Sequence, residues 1–408
     1  MTLYEELKWR GLIKDVTSPE LENKLNNEKL TFYIGTDPTA DSMHIGHYSS
    51  FLIAKRLAKA GHKPLLLIGG ATGRIGDPRP TTEREMKSIE EIEKNTKNLK
   101  KQAEEIFGFE VVDNYDWIKN INIIEFLRDY GKYFNINYML DKDIIRRRLE
   151  TGITFTEFSY MLLQSLDFLH LHETRGVNLQ VAGSDQWGNI TSGVDLIRKK
   201  LGDEVYAFTM PLILDQNGKK FGKSEGNALW LDKNKTSSYE LYQYLINTDD
   251  SMIESYLKVF TFLSPEEIMD IVSKHNNEPH LRLGQKTLAR EIITGLHGKE
   301  EYEKAVQISE NLFSGNIKEI NVNDLMIGLK DVPHFILKDE SLLDLLVNNN
   351  ICSSKREARE FLNNNAISIN GEIVNDENMF IDKTKTIEGK IVVIRRGKKK
   401  YYVGLVEE

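Results

Sequence analysis

The sequence has almost no cysteine. Cys352 stands alone among 408 residues, which excludes an internal disulfide and leaves zinc-finger spacing without material. Cys352 is read as a packing residue, and a reduced compartment is expected. Long apolar runs are also missing. None approaches the roughly 20 uncharged residues needed to cross a bilayer, so a membrane span is excluded. The opening stretch, MTLYEELKWRGLIKDVTS, is broken by charge every few positions, and no export is expected. A broad excess of positive charge is absent as well: the net charge is −8. Counterion release rewards wide positive surfaces, so indiscriminate nucleic-acid binding is excluded and any RNA contact must use local patches. No internal repeat is found, and no low-complexity tract beyond a basic cluster near the end.

What is present is the balance of a globular protein, 40% apolar and 28% charged residues, on a chain long enough for two or three domains. From Thr31 to about Leu214, short apolar segments alternate with longer helical patterns, the sign of a parallel sheet covered by helices. Residues 31–35, 64–68, 178–181 and 206–214 read as strands, and 46–60, 155–169 and 190–201 as helices. A doubly wound, Rossmann-like α/β domain is predicted. Past about Leu231 helices take over, one announced by Ser264-Pro265-Glu266-Glu267, which sets a capping serine, a first-turn proline and a third-position acid in order. After a weakly periodic stretch a small α/β module follows. Ser354-Lys355-Arg356-Glu357 reads as its capping box, and Asn370-Gly371 joins two alternating runs as a hairpin turn.

The strongest local signal is Tyr33-Ile34-Gly35-Thr36-Asp37-Pro38-Thr39-Ala40-Asp41-Ser42-Met43-His44-Ile45-Gly46-His47, which runs from a strand through a turn into a helix. Ligands of an open parallel sheet bind at such strand ends. Helix-start amides attract anions, and two histidines one turn apart are placed to hydrogen-bond phosphate oxygens as charge develops. Gly46 is expected to leave room for a nucleotide base. A second segment, Lys219-Lys220-Phe221-Gly222-Lys223-Ser224, follows the last strand and reads as a loop presenting ammonium groups to a transferring phosphate. Tyr160, Gln164 and Asp167 share one face of a helix that is otherwise apolar nearly all round. Such a buried polar stripe either pairs within the core or lines a polar cavity.

The two segments together resemble the paired signatures of class I aminoacyl-tRNA synthetases, summarised as His-Ile-Gly-His and Lys-Met-Ser-Lys-Ser. Lys220-Phe221-Gly222-Lys223-Ser224 is similar to the variant found in the tyrosyl enzymes of bacterial type. The resemblance covers nearly the whole chain. It implies a catalytic domain over 1–230, a helical anticodon-side domain over 231–325, a linker over 326–340 and a ribosomal-protein-like RNA-binding domain over 341–408. The implied activity is tyrosine–tRNA ligation. Tyrosine attacks ATP, which arrives with its magnesium, to give tyrosyl-adenylate; the tyrosyl group then passes to the 3′ end of tRNA(Tyr). No covalent enzyme intermediate forms, no metal is held by the protein itself, and a cytoplasmic homodimer is expected, its subunits meeting around residues 134–140 and Phe155.

The same resemblance assigns roles. Thr39, His44, His47, Lys220 and Lys223 are the catalytic candidates, acting on the phosphates. Tyr33 and Asp167 match the contacts to the substrate's phenol, Tyr160, Gln164 and Asp77 those to its amino group, and Gln186 the approach to its carboxylate. Gly35, His44, His47, Arg84, Gly183, Asp185, Lys220 and Lys223 fall at ATP-binding positions. Lys355, Arg356, Arg359, Arg395, Arg396, Lys398, Lys399 and Lys400 fall in the tRNA-binding module. A carboxylate and a hydroxyl set to bond a phenol are left unpaired if phenylalanine enters, a rule for which tyrosyl-tRNA synthetases are themselves the standard illustration. Two positions depart from the pattern: Ile34 stands where many relatives have cysteine, and Ala182 where glycine is common. The loop after Asp77 lacks the lysine often found there and keeps Arg84.

Rival readings are a tryptophanyl-tRNA synthetase, a small-molecule adenylyltransferase and a synthetase-derived RNA-binding protein without catalysis. Tyr33 and Asp167 speak against the first, the basic C-terminal module against the second, and the intact His44, His47, Lys220 and Lys223 against the third.

Overall fold

The computed structural model describes residues 1–79, 82, 85–224, 227–397 and 400–407, and of 223, 224 and 227 the backbone alone. Two compact units emerge. The first comprises residues 1–236 and 248–288, the second 237–247 and 289–408. The helical stretch expected as a separate domain over 231–325 is thus shared between them.

The first unit is built on a five-stranded sheet: β1 (Thr31–Thr36), β2 (Lys63–Ile68), β3 (Glu110–Asp113), β4 (Leu179–Gly183) and β5 (Tyr206–Met210). Their order is β3-β2-β1-β4-β5 and every pairing is parallel. The chain doubles back between β1 and β4, so a crevice opens at the carboxyl ends of those two strands. The predicted strands form, except that β5 stops at Met210, before Pro211. Strand β3 was not predicted; two valines between charged flanks carry too little period to announce it.

Three helices place the residues of interest. Ile45–Lys59 leaves the end of β1 and buries Phe51, Leu52, Ile53 and Leu57. Phe155–Arg175 starts on Thr154, whose hydroxyl accepts from the Glu157 amide, and stops at Gly176 in the left-handed conformation. It is buried as its composition demands, with Met161, Leu166, Phe168 and Leu169 in the core. Trp187–Leu201 follows β4. The predicted capping box on Pro265–Asn277 is complete, Ser264 and Glu267 exchanging backbone amides.

The second unit carries a five-stranded sheet of order β11-β10-β13-β14-β8: β8 (His334–Ile336), β10 (Ile367–Ile369), β11 (Glu372–Ile373), β13 (Ile391–Arg396) and β14 (Lys400–Leu405). Two short strands, β9 (Glu340–Ser341) and β12 (Phe380–Ile381), pair beside it. Part of the stretch expected as a linker over 326–340 therefore belongs to the fold, because β8 pairs in parallel with β14. The hairpin forms as predicted: Asn370 and Gly371, at φ 49° and 87°, turn β10 into β11. Ser354 caps Lys355–Asn363, but the Glu357 carboxylate reaches the amide of Ser353, one residue earlier than a capping box requires. Cys352 is buried among Leu345, Leu346 and Ile367, a packing position.

Candidate active site

A cavity of about 400 Å³ occupies the crevice between β1 and β4. It is lined by Tyr33, Gly35 and Thr39 from the first strand and its turn, and by His44 and His47 from the helix that follows. Asp77, Tyr160, Gln164 and Asp167 line it from the other side, with Gly183, Asp185, Gln186 and Lys220. Thirteen sequence-predicted residues, scattered over nearly 190 positions, are thereby brought to one pocket. The polar stripe Tyr160, Gln164, Asp167 lines this cavity, which decides between the two readings open for it. Ile34 and Ala182 line it too, offering apolar surface.

At the pocket's buried end, Asp167 accepts hydrogen bonds from Asn114 Nδ2 and Trp117 Nε1, each at 2.9 Å. Burial nonetheless pushes its carboxyl up to about 8, against the lowering by those two donors. Tyr33 is fully buried and its hydroxyl has no hydrogen-bond partner among the described residues. Burial first, and the Asp167 charge second, hold its phenol well above the usual range. A buried hydroxyl without a partner is costly, and here it lines a cavity beside a carboxylate.

A second polar cluster sits beside the first. Tyr160 Oη donates to Asp37 Oδ2 at 2.9 Å, and Thr72 Oγ1 donates to Asp37 Oδ1 at 2.7 Å. Asn114 also donates to Thr72 Oγ1, at 3.0 Å, so one side chain ties both clusters together. Asp77 accepts from Gln186 Nε2 at 2.8 Å and Asn189 Nδ2 at 3.2 Å. Burial lifts its carboxyl to about 6. Asp37, Asn114, Trp117 and Asn189 were not predicted. Asp37 lay inside the quoted motif, two residues beyond a strand-end glycine, and Asn189 three residues beyond Gln186; Asn114 and Trp117 act through contacts that no local pattern announces.

The two signature segments meet directly. His44 caps its helix with its ring: the Gly46 amide donates to His44 Nδ1, and the His44 amide donates to His47 Nδ1, both at 3.1 Å. Accepting at Nδ1 puts the proton of each neutral ring on Nε2. The rings stack at 3.9 Å, and burial, with His44 close by, drives His47 down to about 3. Each neutral ring thus keeps Nε2–H as its one donor. Gly46, expected to admit a base, lines the cavity, and its bareness also makes room for the His44 ring: a Cβ there would lie 2.9 Å from His44 Cε1.

The lysine-bearing segment folds back as a small hairpin, β6 (Lys223–Ser224) with β7 (Asn227–Ala228), and its backbone pairs with the start of the signature helix. Ile45 donates to the Leu229 carbonyl and Leu231 to that of Met43, at 2.9 and 2.8 Å. Phe221 packs edge-on against Tyr256 at 4.6 Å and tilted against Phe260 at 4.9 Å. Lys220 reaches the cavity lining; the Lys223 side chain and Arg84 lie outside the described residues. The loop after Asp77 is held from below by Arg148, which donates to the carbonyls of Arg79 and Thr82 and pairs with buried Glu157 at 3.0 Å.

In the second unit the basic residues are spread over two elements. Lys355 pairs with Asp344 and Arg359 with Glu377, while Arg356 is exposed. Arg396 donates to the Ile351 carbonyl and lies over the Phe361 ring. It faces Lys400 across β13 and β14, and Arg395 faces Tyr401. Lys398 and Lys399 lie outside the described residues.

Comparison with known proteins bears on this arrangement. The model of "tRNA synthetases class I (W and Y)" matches residues 25–314, and that of the "Tyrosine--tRNA ligase SYY-like C-terminal domain" matches 324–404. The chain is 50% identical over 98% of both chains to a tyrosine–tRNA ligase of Macrococcus caseolyticus, and 49% identical over 99% of both to one of Listeria monocytogenes. Among solved structures, a C-terminally truncated mitochondrial tyrosyl-tRNA synthetase of Aspergillus nidulans is similar at 34% identity and a TM-score of 0.67, covering 76% of this chain and 94% of its own. A tryptophanyl-tRNA synthetase of Encephalitozoon cuniculi shares the fold alone, at 16% identity, a TM-score of 0.55 and coverage of 74% of this chain and 87% of its own.

Proposed function

The chain belongs to the tyrosine–tRNA ligases, class I synthetases, and from that premise we propose how its residues carry out the reaction. The enzyme uses ATP to turn L-tyrosine into tyrosyl-adenylate and passes the tyrosyl group to tRNA(Tyr). In our reading the phenol enters the closed end of the crevice, donating to Asp167 and accepting from Tyr33. The observation that carries this is the buried Tyr33 hydroxyl, which finds no partner among the described residues and lines the same cavity as Asp167. Asp77, Tyr160 and Gln164 take the ammonium group. Asp37 supports that role by accepting from Tyr160 Oη, which turns the oxygen's lone pairs outward.

ATP, brought in with its magnesium, lies across Gly35 and Gly183, its ribose on Asp185 and its phosphates towards Thr39, His44, His47, Lys220, Lys223 and Arg84. Gln186 borders the path by which the tyrosine carboxylate reaches the α-phosphorus. The carboxylate oxygen forms the new bond as the bond to the β-phosphate's bridging oxygen breaks, and pyrophosphate leaves. A ribose hydroxyl of the terminal tRNA adenosine then attacks the tyrosyl carbonyl, and AMP departs. Positioning and charge stabilisation supply the rate; the Nε2–H groups of the two neutral histidines donate to phosphate oxygens without needing a proton from solvent.

We assign activation to the unit holding the crevice and tRNA contacts to the basic residues of the second unit, Lys355 to Arg359 and Arg395 to Lys400. We also propose a cytoplasmic homodimer. Exposed Ile136, Tyr138 and Phe155, the last 73% exposed, support a partner at that face. Residue roles are tested by exchange of pyrophosphate into ATP with each of the twenty amino acids. Tyrosine alone should support fast exchange, and comparable rates with phenylalanine or tryptophan would overturn the assignment of Tyr33 and Asp167.

A further inference from the structure

Phe313 is the most exposed large apolar side chain among the described residues, at 92%. It sits one residue from the end of the helix Lys299–Ser314, and the backbone on both sides of it is held. Leu312, just before, is buried, and its carbonyl accepts from Tyr401 Oη at 2.6 Å. Just after, Gly315 turns the chain in the left-handed region, φ 86°, and lies against the second unit's sheet. A Cβ on Gly371, in the hairpin turn, would come within 2.3 Å of the Gly315 carbonyl oxygen, and a Cβ on Gly315 would lie 3.3 Å from Arg395 Nη1. The helix end is thus wedged against β13, β14 and the Asn370-Gly371 turn, while the ring between those anchors touches almost nothing.

Single exposed apolar side chains are common on protein surfaces, but this ring stands out almost completely from a backbone held on both sides. Its surroundings say of what. Arg395 reaches the residue two places along, and Lys318 follows after the next turn, paired with Glu372. An exposed π face with a guanidinium beside the backbone two residues on suits a nucleobase with its neighbouring phosphate, and RNA is read chiefly through such unstacked bases. We propose that Phe313 is a stacking platform for an unpaired base of tRNA(Tyr), with Arg395 engaging an adjacent phosphate. This rests on the reading of the chain as a tRNA-charging enzyme.

The test uses full-length protein carrying Phe313→Ala, Phe313→Leu or Phe313→Trp, with an in vitro transcript of tRNA(Tyr). Tyrosine-dependent pyrophosphate exchange, which involves no tRNA, should match the parent in all three. The KM for tRNA should rise about tenfold with alanine and with leucine, and stay near the parent's with tryptophan, since stacking needs a ring. The tryptophan variant should also gain fluorescence that the transcript quenches, beyond any change in the parent. A leucine variant with parental KM, or a tryptophan variant as impaired as the alanine one, overturns stacking. Reduced exchange in any of the three also overturns it, by giving Phe313 a structural role. A parent that lacks tyrosine-dependent exchange would instead remove the reading underneath.

Discussion

Gly222 and Ile45 approach so closely that no side chain fits between them: a Cβ on Gly222 would lie 1.9 Å from Ile45 Cγ2. The same glycine has φ 80°, where an L residue is strained. The contact joins the lysine-bearing loop to the first turn of the signature helix. Gly222→Ala should therefore displace Lys220 from the histidines and slow adenylate formation by about 10²-fold, with tyrosine affinity nearly unchanged because the phenol end is untouched. Stopped-flow measurement of the single-turnover rate, beside equilibrium dialysis of tyrosine, checks both halves; a parental rate would separate this contact from the chemistry.

His44→Ala and Lys220→Ala should each lower the same rate by about 10²-fold or more and leave tyrosine binding almost intact, since their contacts strengthen only in the transition state. For His47 a pH consequence follows. Its value near 3 keeps the ring neutral in the free enzyme, so the activation rate should show no inflection near 6.5 that His47→Gln abolishes. An inflection there that the variant loses would show that the ring titrates.

How much of this was legible before folding differs by kind of signal. The strand-turn-helix around Gly35 and His44 could be read because the whole device is local, and the Tyr160, Gln164, Asp167 stripe because helical spacing puts them on one face of an apolar helix. The Asn370-Gly371 turn was legible for the same reason. Asn114 and Trp117 were not: each meets Asp167 across 53 and 50 residues, and nothing in their own neighbourhood requires a polar partner. Strand β8 was missed because three residues carry no usable period and its partner, β14, lies at the far end of the chain. The even helical pattern over 231–325 likewise hides that residues 248–288 pack with one unit and those from 289 with the other.

Tyr33 sets function against stability. Its hydroxyl is buried without a partner among the described residues, so Tyr33→Phe removes an unsatisfied polar group and should raise the melting temperature by about 1 kcal/mol's worth of stability. The same change removes a donor to the substrate phenol and should cut kcat/KM for tyrosine about tenfold while affecting phenylalanine far less. Calorimetry and exchange kinetics on one preparation test the pair. A destabilised variant with undiminished tyrosine preference would mean that the hydroxyl bonds within the protein.

Asp167 predicts a pH dependence whose sign is fixed. Its native carboxyl is raised to about 8, whereas an unfolded aspartate titrates at about 3.9. Below about 4 both states hold the proton and burial of the carboxyl carries no charge penalty. Between about 4 and 8 the native state keeps the proton that the unfolded state releases, so this residue's contribution to stability falls as pH rises through that window. Other groups cancel in a comparison with Asp167→Leu: the parent's melting temperature minus the variant's should be largest at pH 5 and shrink towards pH 8. A difference that stays level from pH 5 to pH 8 would mean that Asp167 is already ionised in the native protein across that range.

The role of the second unit invites a truncation, and the fold says where truncation misleads. Removing 341–408 would take away β14 and leave β8 with no partner, along with Val393 and Val403, which pack on Leu325 and Leu329. Such a protein should lose tRNA charging and also expose an unpaired edge and apolar core, so aggregation would confound the result. Single substitutions avoid this. Arg356 is exposed and has no ion-pair partner among the described residues, whereas Lys355 and Arg359 are already held by Asp344 and Glu377. If the helix Lys355–Asn363 contacts tRNA phosphates, Arg356→Ala should raise the KM for tRNA several-fold and lower the salt slope of tRNA binding by about one, with melting temperature and pyrophosphate exchange unchanged. Lys400→Ala, at the start of β14, should do the same. Equal salt slopes in the parent and both variants would take these cations out of the RNA interface, and would leave the unit's tRNA contacts to residues such as Phe313 and Arg395.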